Sequence, residues 1–190
     1  MRLFIGIPLA AAVMEELSTM VARQRRKEDG LRWTAAESWH ITLQFLGDAS
    51  TEQCQCLVAR LGEVRSQPVS IQLLDLGFFG RTGVFFAGVA VSPQLLSLQR
   101  MVATAASWCG FAAETRTFHP HITLARSKGH NRDQGAGIRG QSRLRELRAK
   151  VQTQHRFTHF AAREFNLYES FLGLGGARYE IRERFALIAQ

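Results

Sequence analysis

The tetrapeptide His-Ile-Thr-Leu occurs twice in this chain, at residues 40–43 and again at 121–124. Each copy lies in a run that reads as a β-strand, within SWHITLQFLG and RTFHPHITLAR. Side chains alternate along a strand, so His40, Thr42 and Gln44 are expected on one face, with Ile41, Leu43 and Phe45 on the other. The second copy likewise sets His121, Thr123 and Ala125 against Ile122 and Leu124. The apolar face can pack on helices, whereas a His/Thr face without partners is costly inside a protein. Both polar faces therefore belong in a cleft or at solvent. Two comparable halves, each holding one such strand, would bring them to a common groove.

The rest of the chain supports two halves of mixed character. Leu3 to Ile7 reads as an interior strand, and the segment after Pro8 as a helix with Val13, Leu17, Met20 and Val21 inward, closing at RQRRKEDG. A short extended piece at Leu31–Thr34 precedes the first motif strand, Trp39–Leu46. Ser50 and Gln53 form a capping box for a helix to about Arg65. Val69–Phe79 and Val84–Val91 read as a hairpin around GRTG, and Ser92-Pro93 opens a helix to about Trp108. The second motif strand is expected at Phe118–Ala125, and two more strands, Thr158–Phe171 and Arg178–Ile188, flank the GLGG turn. This order argues for an α+β fold with antiparallel or mixed sheets, in a single domain over 1–190 made of two interleaved lobes. Residues 127–156 carry eight Lys or Arg against Asp133 and Glu146 and read as a basic mobile loop, with a short helix near 144–151.

The net charge of +8 and a pI of about 10.4 favour an anionic partner, nucleic acid or nucleotides first. Cys54, Cys56 and Cys109 are odd in number and lack CxxC spacing, which points to a reduced, cytoplasmic protein. MRLFIGIPLAAAVM resembles a leader only weakly, since Pro8 interrupts it and Glu15 and Glu16 continue an amphipathic pattern. No run approaches the ~20 apolar residues of a membrane span.

Facing histidines suit concerted acid–base chemistry, because an imidazole with a pKa near 6.5 can serve as either base or acid around neutrality. In-line displacement at phosphorus needs a base on one side, an acid on the other and donors around the equator. The two threonine hydroxyls are such donors, and no metal or cofactor is called for. The symmetry of the motif leaves open which histidine is acid and which is base.

Taken in order, RLFIGIPL, SWHITLQFLGD, LGFFGRTGVFFAGV, RTFHPHITLAR and FNLYESFLG resemble the two-histidine (2H) phosphoesterase superfamily. More narrowly they resemble the bacterial RNA 2',3'-cyclic phosphodiesterases, historically called 2'-5' RNA ligases. The resemblance spans nearly the whole chain except 127–156. It implies a bilobal fold with the groove between lobes, and hydrolysis of RNA 2',3'-cyclic phosphate ends to 2'-phosphates, with reversible 2'-5' joining as a side activity. By position it makes His40 the proton donor, His121 the proton acceptor, Thr42 and Thr123 the phosphate-holding threonines, and Arg126 a substrate contact.

RNA with 2',3'-cyclic phosphate or 2'-phosphate ends, or nucleotides, are the expected partners, and the protein is expected to be a monomer away from membranes. The same site could serve another cyclic phosphate or a 2'-5' oligonucleotide, or bind RNA ends without turnover. His119 lacks acidic or Cys companions at metal spacing and reads as a groove-rim residue. Of Trp33, Phe78, Phe79, Phe85 and Phe86, one or two are expected to line the groove and the rest to be core.

Overall fold

The computed structural model describes residues 1–27, 29–80, 82–128, 142, 143, 146, 147, 157–173 and 176–188. Its strands are β1 (Arg2–Pro8), β2 (Leu31–Trp33), β3 (His40–Asp48), β4 (Val69–Ile71), β5 (Leu73–Phe79), β6 (Val84–Val89), β7 (His121–Ser127), β8 (Phe160–Ala162), β9 (Glu164–Gly173) and β10 (Gly176–Ala186). Its helices are α1 (Ala11–Gln24), α2 (Thr51–Gly62) and α3 (Pro93–Trp108), with a 3-10 turn at Ala36–Ser38.

Two four-stranded sheets divide the motifs between them. One has the order β10-β9-β1-β3 and carries the first HITL on its edge strand; the other has the order β2-β7-β6-β5 and carries the second. Every pairing in both is antiparallel, as is the small β4-β8 ladder. The α+β expectation is met. β3 and β7 are in contact, and the chain leaving β2 stays tied to β7 (Thr34 N–H to the Leu124 carbonyl, 2.8 Å) before crossing to β3.

Local chemistry explains the helices. α1 buries Val13, Leu17, Met20 and Val21, the stripe the periodicity predicts, but starts at Ala11 rather than directly after Pro8. Ser50 and Gln53 satisfy each other's backbone N–H groups at the start of α2, and the Ser92 hydroxyl accepts from Leu95 N–H with Pro93 in the first turn of α3. The apolar faces of helices and sheets merge into one core, including Leu17, Ile41, Leu57, Leu98, Ile122 and Phe165.

Two long expected strands are each broken in two. Val69–Phe79 divides at Gln72, whose carbonyl accepts from Ala90 N–H, so β4 joins β8 while β5 pairs with β6. Thr158–Phe171 divides at Arg163, whose carbonyl accepts from Leu187 N–H. Continuous β-propensity cannot register a backbone group that bonds a distant segment.

The cysteines also depart from expectation. Cys56 on α2 and Cys109, the residue capping α3, form a disulfide with Cα atoms 5.7 Å apart, while Cys54 is buried and free. Spacing 53 residues apart carries no sign of this contact, which the packing of α2 on α3 creates. The bond removes the cysteine-based ground for a reducing compartment. Among the described residues no helix is long and apolar enough to cross a membrane.

Most of 127–156, and most of the helix expected near 144–151, lies outside the described residues. Within it, Arg143 and Leu147 are buried: the Arg143 guanidinium donates to the Gln24 carbonyl and pairs with Glu146 at 2.6 Å. These two positions are docked on the fold rather than solvated.

Candidate active site

The two histidines are held in the same pose. Nδ1 of His40 lies 2.8 Å from the Ser38 carbonyl, and Nδ1 of His121 lies 2.7 Å from the His119 carbonyl. A carbonyl only accepts, so each ring carries its proton on Nδ1 and leaves Nε2 unprotonated. Nε2 of His40 is 3.1 Å from Thr42 Oγ1, so the hydroxyl can donate to it. His119 thus serves through its backbone. Its side chain is exposed, and its equivalent in the first copy is Ser38, whose carbonyl does the same work.

The facing pattern differs from simple alternation. On β3, Gln44 pairs with Ile5 and Thr42 with Gly6, leaving Leu43 as an extra residue; on β7, Ala125 pairs with Phe85 and Thr123 with Phe86, leaving Leu124 extra. Both strands therefore bulge at the leucine of HITL. A bulge inverts the parity of everything beyond it. Gln44 and Ala125, expected beside the histidines, are turned into the core at 4% and 0% exposure. Phe45 and Arg126 take the histidine-bearing face instead, Phe45 being 60% exposed and Arg126 also exposed. The expectation of a Gln44 and Ala125 groove face is corrected on this ground.

Aromatic walls surround each imidazole. The His40 ring lies 4.6 Å from Phe4, 5.1 Å edge-on from Tyr179 and 5.9 Å from Tyr168, and Phe4 stacks on Tyr168 at 4.9 Å. His121 meets Phe79 at 5.0 Å and Phe86 at 5.4 Å, both edge-on. Two glycines make this packing possible. A Cβ on Gly6 would meet the Ile41 carbonyl oxygen at 2.9 Å and the His40 ring at 3.3 Å, and one on Gly77 would meet the Phe86 ring at 2.5 Å. Of the aromatics noted in the sequence, Phe79 and Phe86 stand at the site. Phe85 is fully buried, Phe78 stacks on it, and Trp33 packs against it while donating to Asp29. Phe4, Tyr168, Tyr179 and Phe45 were not singled out by sequence reasoning. β1 and the β9–β10 pair bring three of them to His40 from distant parts of the chain.

The walls set the titration. Burial among these rings lowers the His40 pKa from 6.5 to about 4, with His121 and Arg126 adding repulsion and the Ser38 carbonyl opposing. Burial also lowers that of His121, against the His119 carbonyl and with Arg126 and His119 contributing. Arg126 thus acts electrostatically on both imidazoles, and it also lies within the field of Tyr179. Sequence reasoning expected one imidazole to be protonated near neutrality. Burial instead shifts both towards the neutral form, because desolvation penalises the cation. A bound phosphate anion would reverse that by supplying the missing counter-charge. Among the described residues no three His, Cys, Asp or Glu side chains group as metal ligands.

A family model described as LigT like Phosphoesterase matches residues 7–86 and 89–179. The RNA 2',3'-cyclic phosphodiesterase of Escherichia coli (strain K12) is 30% identical over 187 residues, covering 98% of this chain and 96% of that protein. That of Methanocaldococcus jannaschii is 27% identical over 95% of this chain and 98% of its own. Among solved structures, E. coli LigT complexed with 3'-AMP superposes with a TM-score of 0.75 at 31% identity, covering 98% of this chain and 97% of that one. With matched segments running through both HITL strands, the chain belongs to the LigT-like phosphoesterases, the two-histidine family that its duplicated motif resembles.

Proposed function

We propose that this protein hydrolyses the 2',3'-cyclic phosphate end of RNA to a 2'-phosphate and a free 3'-hydroxyl, without a metal. One observation carries the reading. Two imidazoles on facing strands are each anchored through Nδ1 by the carbonyl two residues upstream, leaving two Nε2 atoms for proton transfer. The names of the relatives support the substrate class.

In this mechanism the cyclic phosphate sits between His40 and His121, held by the Thr42 and Thr123 hydroxyls and by Arg126. Its negative charge raises the pKa of His40, which enters the cycle protonated. Nε2 of His121 takes a proton from water as the water oxygen bonds to phosphorus. The P–O3' bond breaks on the opposite side, and Nε2–H of His40 gives its proton to the departing O3'. Proton exchange with solvent resets both rings. If the 5'-hydroxyl of a second strand replaces water, the same displacement forms a 2'-5' linkage, and its reversal cleaves one. An RNA-end substrate is compatible with a protein that works in the cytoplasm, and all the residues invoked come from one chain, as a monomer would need.

The test is incubation of a 2',3'-cyclic phosphate-terminated RNA with excess EDTA. A 2'-phosphate product is expected, with a bell-shaped pH–rate profile. His40→Ala and His121→Ala should each lower kcat by about 10²–10⁴-fold. Near-full turnover by both variants would defeat the two-histidine mechanism, a 3'-phosphate product would reverse which oxygen leaves, and saturable binding without conversion would reduce the protein to an RNA-end binder.

A further inference from the structure

Arg126 has a neighbour on the next strand that the mechanism does not use. Arg32 on the edge strand β2 pairs directly with Arg126 on β7. Residues opposite each other in an antiparallel ladder project from the same face, with Cβ atoms about 4.5–5.5 Å apart. Both side chains are exposed, whereas the flanking Leu31 and Ser127 are buried beneath them. The bulge at Leu124 that turns Arg126 to the groove therefore places Arg32 beside it, one strand further out from His121.

Two like charges directly opposite one another destabilise a sheet. Among the described residues neither arginine has a carboxylate partner. The carboxylate closest in sequence, Asp29, is buried and committed, accepting from Leu31 N–H at 2.9 Å and Trp33 Nε1–H at 2.9 Å. Those same bonds hold β2 in place, so Arg32 is presented from a fixed backbone. Repulsion from Arg32 also reaches Arg126. An anion spanning both guanidinium groups would convert this repulsion into attraction, and a cyclic phosphate already engaged by Arg126 offers only one.

We propose that Arg32 binds the phosphodiester adjacent to the cyclic phosphate end, so that the groove favours a polynucleotide terminus over a nucleoside cyclic phosphate. The inference rests on the cyclic phosphodiesterase reading above and names its substrate class more narrowly. A planar guanidinium suits the bidentate geometry of a phosphodiester, and the proteins that such arginines serve become salt-sensitive.

The experiment compares kcat/KM for cytidine 2',3'-cyclic phosphate with that for a short oligoribonucleotide carrying the same terminus, using the wild type, Arg32→Ala and Arg32→Lys. The alanine variant should lose at least about tenfold more on the oligomer than on the nucleoside, chiefly through KM. Lysine should recover part of that loss, since it restores the charge without the fork. The slope of log(kcat/KM) for the oligomer against log salt should flatten by about 0.7 in the alanine variant, the value for one contact to a single strand. Equal losses on both substrates would assign Arg32 to the reacting phosphate or to folding, and no loss on either would remove it from binding; each overturns the proposal. If the wild type cleaves neither substrate, the cyclic phosphodiesterase reading fails instead. The Arg32 comparison is then read from binding of a 2'-phosphorylated oligomer against cytidine 2'-monophosphate, where the same tenfold difference is required.

Discussion

Titrating His40 should unfold the protein more readily than acid alone would. Burial holds its pKa at about 4, against 6.5 for the ordinary imidazole. Between these values an unfolded chain binds a proton at this position and the folded chain does not. Stability therefore rises with pH across the window and is fully present above 6.5. It is lost progressively as the pH falls to about 4. The difference corresponds to about 3 kcal/mol, a large share of the 5–15 kcal/mol typical of a domain. Urea denaturation of the wild type and His40→Gln at intervals from pH 7.5 to 4 measures it. The wild type should lose about 3 kcal/mol more than the variant over that interval, and His121→Gln should flatten the curve in the same direction because its imidazole is also lowered. Sulfate, whose charge is constant over this range, should stabilise the wild type increasingly as the pH falls, by favouring the protonated rings. Parallel stability curves for the wild type and His40→Gln would refute the argument that the aromatic wall of Phe4, Tyr168 and Tyr179 desolvates this histidine.

Three further outcomes are expected. Arg126→Ala removes a positive charge that lowers both imidazoles, so the pKa values read from the pH dependence of kcat/KM should rise while activity falls. Gly77→Ala should push Phe86 off its present position, since the new Cβ would meet that ring at 2.5 Å. A loss of about 1–3 kcal/mol in stability with reduced turnover is expected, and unchanged thermal melting would show that the ring moves freely. Breaking the Cys56–Cys109 bond, which closes a loop of 53 residues, should lower stability by up to about 4 kcal/mol on chain entropy; melting of Cys56→Ser with Cys109→Ser against the wild type measures it.

Much of the site was legible because its chemistry is local. An imidazole and a hydroxyl two residues apart on a strand share a face unless a bulge falls between them. The carbonyl that orients each imidazole was found only in the structure, although it lies just two residues upstream. The α1 stripe, the Ser50/Gln53 capping box and the Ser92-Pro93 helix start were legible for the same reason: each is decided within one or two turns of helix. The divided strands at Gln72 and Arg163 were not, since each break answers a hydrogen bond from a distant segment. The cysteines misled because odd number and spacing describe metal clamps and redox motifs, not a contact between two helices.

The duplication of HITL by itself determined that two histidines and two threonines would be offered from equivalent strands, because alternation is a property of the extended backbone. Only the tertiary structure decided what accompanies them. Pairing with β1 and β6 forces the bulges at Leu43 and Leu124, and these exchange Gln44 and Ala125 for Phe45 and Arg126 at the groove. The walls of Phe4, Tyr168, Tyr179, Phe79 and Phe86 come from strands far apart in the chain, and their desolvation lowers the pKa of both imidazoles. Parity beyond a bulge and the dielectric around a ring both depend on neighbouring strands, which no local reading of the residues contains.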